Sequence, residues 1–193
     1  STASAYVSNE RPAAEPHYRA RFYFDPNSIT MAAGDSHYIF SGYAGSSTAV
    51  LRLLLQYTSG SYQLRASFVD DGSTWTTSPA FTIADAPHYI ELDWKAATAP
   101  GAQNGSLVLW IDGVQQAAYT AGDNDMRRID KVRLGAISGM DAGTRGAYFI
   151  DAFESRRDTY IGPTGGSTPT PTPIPTTTVT GTPTNTPTPT PTA

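Results

Sequence analysis

His88-Tyr89-Ile90-Glu91-Leu92-Asp93-Trp94 alternates polar and apolar side chains; a polar loop follows, Ala96 to Asn104, and then Gly105-Ser106-Leu107-Val108-Leu109-Trp110-Ile111 runs into Asp112-Gly113 and returns through Val114 to Ala118. Alternation at period two predicts strands with one buried face, here with Ile90, Leu92 and Trp94 inward and Trp110 opposite Leu109 and Ile111. Asp-Gly accepts positive φ at both central positions of a turn, which predicts a tight hairpin.

The same pattern extends in both directions. Tyr18 to Phe24 places Tyr18, Ala20, Phe22 and Phe24 on one face, and Asp25-Pro26-Asn27 ends it with turn chemistry. His37 to Tyr43 is another apolar run. Ala49 to Tyr57 and Tyr62 to Val69 flank Thr58-Ser59-Gly60-Ser61, a hairpin signal. In its second arm Tyr62, Leu64, Ala66 and Phe68 face one way, and Gln63, Arg65 and Ser67 the other. Ile129 to Ile137 and Ala147 to Phe153 are further strands joined by a glycine-rich loop. No segment reads as a capped amphipathic helix. Many short strands spaced by turns predict an all-β, two-sheet antiparallel sandwich. The expected division is an N-terminal extension over 1–17, a sandwich domain over 18–163 and a stalk over 164–193.

Composition narrows the function. The chain has 193 residues and a formal charge of −4, with no cysteine. Disulfides and thiolate chemistry are therefore excluded. No run of about 18 apolar residues exists, so no membrane-inserting helix is expected. The sequence offers no basic cluster beyond Arg127-Arg128 and Arg156-Arg157, which argues against a nucleic-acid partner. The chain opens Ser1-Thr2-Ala3-Ser4-Ala5, as a mature terminus or an inter-domain joint would.

The strand His88–Trp94, the Gly-x-Leu-x-Leu-x-Ile-Asp-Gly hairpin, and the closing runs Val132-Arg133-Leu134-Gly135-Ala136 and Phe149-Ile150-Asp151-Ala152-Phe153 resemble the laminin-G-like, concanavalin A-like jelly roll. The resemblance covers roughly Tyr18 to Gly162 and rests on fold-maintaining positions. It implies a jelly-roll sandwich. Members include glycan binders, adhesion modules, cell-surface spacers and glucanases, so the fold alone does not choose a function.

Glu91-Leu92-Asp93 is similar to the Glu-x-Asp-x-x-Glu strand of the glucanases, but Ala96 stands at the second Glu. A retaining glycosidase needs two carboxyls, one as nucleophile and one as acid, so catalysis is not expected here. Calcium is the one candidate cofactor. Asp70, Asp71, Asp123 and Asp125 lie in oxygen-rich loops, with Asp141 a further carboxylate, and calcium takes 6–8 such ligands. Aspartates are equally common turn formers. Trp75 and Trp110 are the candidate sugar-stacking platforms, against a default of core packing. His17, His37 and His88 read as structural.

The last 30 residues contain 14 Thr and 8 Pro and no charge. Proline excludes helix and central strand and favours polyproline II, at about 3.1 Å per residue. Thirty residues then reach about 90 Å. Such mixtures also read as O-glycosylated stalks. The expected acceptors are Thr168, Thr170, Thr172, Thr176, Thr177, Thr178, Thr180, Thr182, Thr184, Thr186, Thr188, Thr190 and Thr192, with Asn104 the one N-glycosylation sequon. The sequence thus predicts an extracellular or cell-surface, non-enzymatic structural glycoprotein, partnered by copies of itself in a fibril or array and by covalent glycans. The alternative is a lectin-like, carbohydrate-binding module that meets polysaccharide and is tethered to an enzyme or wall anchor.

Overall fold

The computed structural model describes residues 3–164, and the account that follows is of those residues. The expected glycosylation sites Thr168 to Thr192 and the polyproline stalk lie outside them.

Twelve strands and no helix are found among the described residues. They are β1 (Ala5–Asn9), β2 (His17–Asp25), β3 (Ser36–Ala44), β4 (Thr48–Thr58), β5 (Ser61–Val69), β6 (Trp75–Thr77), β7 (Phe81–Ile83), β8 (His88–Lys95), β9 (Gly105–Ile111), β10 (Val114–Gly122), β11 (Lys131–Ser138) and β12 (Phe149–Arg156). A seven-stranded sheet runs β1-β11-β3-β4-β5-β6, with β7 also on β5. A five-stranded sheet runs β10-β9-β8-β2-β12. All pairings are antiparallel. The expected all-β sandwich is therefore what the chain forms.

Each sheet turns one face inward, as the alternation requires. Phe22, Leu92 and Trp94 of one sheet and Phe40, Leu53 and Leu64 of the other have no exposed surface. Phe22 stacks on Phe40 across the two layers, ring centroids 5.9 Å apart. At the two tight hairpins, Ser59-Gly60 and Asp112-Gly113, both residues have positive φ, which matches the right-handed twist of the flanking strands. β1 lies within the stretch read as an extension and pairs along β11. β6 and β7 are three residues each, too short to show a period, and exist because β5 offers them its open edge.

Gly105 has a packing role. A Cβ there would lie 1.8 Å from Asn124 Oδ1. That buried amide accepts from Ala97 N at 2.7 Å and donates to Lys95 O, tying the long 96–104 loop to the end of β10.

Phe22→Ala removes a side chain that bridges both layers and should cost about 3–5 kcal/mol. A urea unfolding curve should show a lower midpoint with an unchanged slope.

Candidate functional site

The two outer faces have opposite electrostatic characters. On the five-stranded sheet, register sets Arg21 beside Glu91 and Arg19 beside Asp93. Arg19 Nε is 2.6 Å from Glu91 Oε1 and Nη1 is 3.5 Å from Asp93 Oδ2. His17 Nε2 is 2.5 Å from Asp93 Oδ1, and Arg21 Nη2 donates to Glu154 at 2.8 Å. Burial opposes ionisation of Asp93, but the His17 hydrogen bond and the charges of Arg19, His17 and Lys95 outweigh it and hold the carboxyl below its usual range. The bond from Arg156, chiefly, does the same for Glu154.

Residues 157–164, which follow β12, cross this face as a strap. Ile161 N and Gly162 N each donate to Glu91 at 3.1 Å, and the Tyr89 hydroxyl donates to the same carboxylate. Burial first, and then that bond to Glu91, push the Tyr89 phenol far above its ordinary pKa. Tyr160 packs edge-on to Trp110 at 6.1 Å, and the Arg19 guanidinium lies between them, 4.7 and 5.1 Å from the two rings. Glu91 is fully buried and both its oxygens are engaged. Trp110 therefore faces away from the core, as the sequence indicates, but the strap and Arg19 occupy its ring. Ala96, at the position of the missing glucanase carboxylate, is itself buried.

The outer face of the seven-stranded sheet is different. None of its strands carries Asp or Glu, while Arg52, Arg65, Lys131 and Arg133 all project from it. The Arg52 guanidinium sits between Tyr38 (4.8 Å) and Trp75 (4.3 Å). Arg133 sits between Tyr6 (4.5 Å) and Tyr43 (5.0 Å). Neither arginine makes an ion pair among the described residues, and the buried Nε of Arg133 has no hydrogen-bond partner. Arg65 Nε donates to Ser78 O at 3.1 Å, and Lys131 Nζ donates to Ser46 O at 2.5 Å. Gln56 and Gln63, bonded to each other at 2.8 Å, extend the polar surface. Trp75 thus belongs to this cationic face. The sequence marks Trp75 but not Arg52 or Arg133, because the absence of acid is visible only once it is known which strands share a sheet.

Of the candidate calcium ligands, Asp71, Asp123 and Asp125 converge, one carboxylate oxygen from each lying within 4.8 Å of the others. Desolvation, then a hydrogen bond with Asp71 and the charges of Asp71 and Asp123, raise the Asp125 pKa. Asp70 instead caps its own turn, accepting from Thr74 N at 2.7 Å, and Asp141 accepts from Ser36 N at 2.9 Å. Arg127 Nε already approaches Asp71, at 3.4 Å. One oxygen from each of three carboxylates supplies at most half of a calcium shell of 6–8 oxygens. Asn104 is exposed, and its amide is held by Thr98 through two bonds of 2.9 Å. His37 is buried without a partner for either ring nitrogen, and burial lowers its pKa. His88 bonds Asp112 at 2.7 Å. A cleft of about 640 Å³ opens between β1–β11 and β12. Its walls include Val7, Leu134, Ile150 and Phe153, and also Tyr6, whose ring stacks on Arg133.

No protein-family model matches this chain, and no curated protein matches it in sequence. Solved structures do match in shape. The alginate lyase Aly36B superposes with a TM-score of 0.54 at 12% identity, covering 74% of this chain and 70% of the lyase. An alginate lyase from Alteromonas sp. 272 gives 0.51 at 8%, covering 79% of each. A heptameric SAP-like pentraxin from Limulus polyphemus gives 0.51 at 10%, covering 78% and 68%. These likenesses establish the jelly-roll sandwich. They also correct the expectation of a non-enzymatic structural glycoprotein. The neighbours are mostly alginate lyases, which are enzymes, so this fold is one that enzymes also use and does not mark the head as a non-enzymatic spacer. The expectation came from the Thr/Pro tail, whose composition carries no information about the chemistry of the head.

Two predictions concern the strapped face. Glu91→Ala leaves the buried Arg19 with only the more distant Asp93 and removes the acceptor of the Tyr89 hydroxyl and the two strap amides, which should cost about 3–5 kcal/mol. It should also free the strap, so that acrylamide quenches Trp110 fluorescence more strongly. Because Asp93 and Glu154 have depressed pKa values, their contribution to stability is complete above the ordinary carboxylate values, 3.8 and 4.5, and is lost as pH falls below them. Thermal melts should begin to fall below about pH 6.5, where burial opposes protonation of His37, and fall further below about pH 4.5, with a shallower acid fall in Asp93→Asn.

Proposed function

We propose that the outer face of the seven-stranded sheet binds an acidic polysaccharide. The observation that carries this reading is the pair Arg52 and Arg133. Each guanidinium is held between two aromatic rings and has no carboxylate partner, on a face without acid. An arginine stacked in this way is pre-oriented, and its planar fork fits a carboxylate or sulfate by two parallel bonds. Aromatic rings beside it suit the apolar faces of pyranose sugars. The shared fold is consistent with this reading, since one neighbour, at a TM-score of 0.54, is described in complex with an alginate trisaccharide.

A second reading places cleavage on the same surface. Elimination from a uronate needs a cation to neutralise the carboxylate and a group to move a proton, and the Tyr38 ring lies 4.8 Å from the Arg52 guanidinium. In that reaction a base takes the proton alpha to the carboxylate, the bond from the beta carbon to the glycosidic oxygen breaks with its electron pair staying on that oxygen, which takes up a proton to become a hydroxyl, and a double bond forms between the two carbons.

Calorimetry with a polyuronate and with neutral dextran tests the proposal. Binding should be confined to the acidic polymer and weaken with added salt. Arg52→Ala should lower affinity by about 10- to 100-fold, the worth of a charge-assisted bidentate contact. Equal binding to dextran, or no binding to polyuronate at low salt, would overturn the proposal. Appearance of unsaturated uronate ends on incubation would establish cleavage as well.

A further inference from the structure

The two stacked arginines lie in one cross-strand row. Arg133 on β11 pairs with Ser41 on β3, and Ser41 pairs with Arg52 on β4. Ser67 on β5 and Thr77 on β6 continue the row. Between the arginines stands only the small side chain of Ser41. The separation is two strand spacings, about 9.6 Å. Outward positions along a single strand offer no comparable pair. β4 presents Arg52, Leu54 and Gln56, and β5 presents Ser67, Arg65 and Gln63, with Arg65 already donating to Ser78. On β11 the second cation, Lys131, is buried and bonded to Ser46. A polymer lying along a strand therefore meets one uncommitted guanidinium, and a polymer lying across the strands meets two.

In an extended, two-fold polysaccharide ribbon each pyranose advances the chain by close to one strand spacing. Successive residues turn opposite edges outward, so anionic groups on the same side recur once per disaccharide. That repeat is close to the two strand spacings that separate the backbone positions of Arg133 and Arg52. Resting on the polysaccharide reading above, we infer that this row is a two-point gauge. The acidic chain crosses the strands at right angles, and anionic groups of residues one disaccharide apart dock on Arg133 and Arg52. The aromatic pairs Tyr6–Tyr43 and Tyr38–Trp75 fix the two forks in place. Specificity then lies in the spacing of charge along the polymer rather than in charge density alone.

The test is calorimetry at constant salt with β-linked oligomannuronates of two, three and four sugars. The trisaccharide is the shortest that carries anionic groups one disaccharide apart. Its affinity should exceed that of the disaccharide by at least about tenfold, because the second contact becomes intramolecular, and the tetrasaccharide should add little. In Arg52→Gln and in Arg133→Gln the step should vanish, while the disaccharide loses no more than about half its affinity, as expected when one of two equivalent contacts is deleted. Matching circular dichroism and thermal midpoints serve as the folding control, and Arg133→Lys, which keeps the charge but not the fork, should retain a smaller step. A smooth rise of affinity with length, lowered equally at every length by both substitutions, would overturn the gauge and leave the polysaccharide reading intact. Absence of binding at every length and to the parent polymer would overturn both.

Discussion

The architecture depends on what surrounds the carboxylate of Glu91. A charge with no exposed surface must have its lone pairs satisfied from within the protein, because water cannot reach it. Here the partners come from three distant parts of the chain: Arg19 on β2, the Tyr89 hydroxyl on β8 itself, and the Ile161 and Gly162 amides of the strap. Arg19 in turn requires Asp93 and the rings of Trp110 and Tyr160. One buried charge thus recruits a cover. The outer face of the five-stranded sheet becomes a second, polar interior, and its carboxylates serve structure.

That closure assigns work to the other sheet. Charges on the two layers are segregated rather than mixed. The five-stranded layer carries acids and bases in register and neutralises them across strands. The seven-stranded layer carries bases alone and covers them with aromatic rings. Stacking on a ring satisfies the flat faces of a guanidinium but leaves its N–H edge without an acceptor. On the proposed reading, that edge is what an anion meets. The sandwich supplies the rigid backing, since strands fix side-chain positions more closely than loops do.

Strand periodicity was legible from residues alone. Tyr18, Phe22 and Trp94 point inward and Trp110 outward, as alternation demands, because a period-two pattern leaves little choice of face. The Asp112-Gly113 turn was legible for a similarly local reason. The strap was not, because Ile161 and Gly162 contribute main-chain amides to a residue seventy positions earlier, and amides carry no sequence signature. Asp71 and Asp123 are far apart in the chain and meet only in space, whereas Asp70, next to Asp71, turns away into its own loop. The cationic face was hidden for a further reason. Its defining property is the absence of carboxylates over strands scattered from Ala5 to Ser138, and that is a property of the sheet order. The Thr/Pro run dominated the functional reading because its bias is local and strong, although it says nothing about the surface of the head.

The strap also fixes where Thr164 is held. Thr164 is bonded to the Tyr23 hydroxyl at 3.2 Å, on the outer side of the five-stranded layer. Thr164 is thus anchored at the rear of the sandwich, with both β-layers between it and the arginine row. A pull from behind would load the Glu91 clip before it loads the aromatic core. The front would keep its shape while the rear carries the strain.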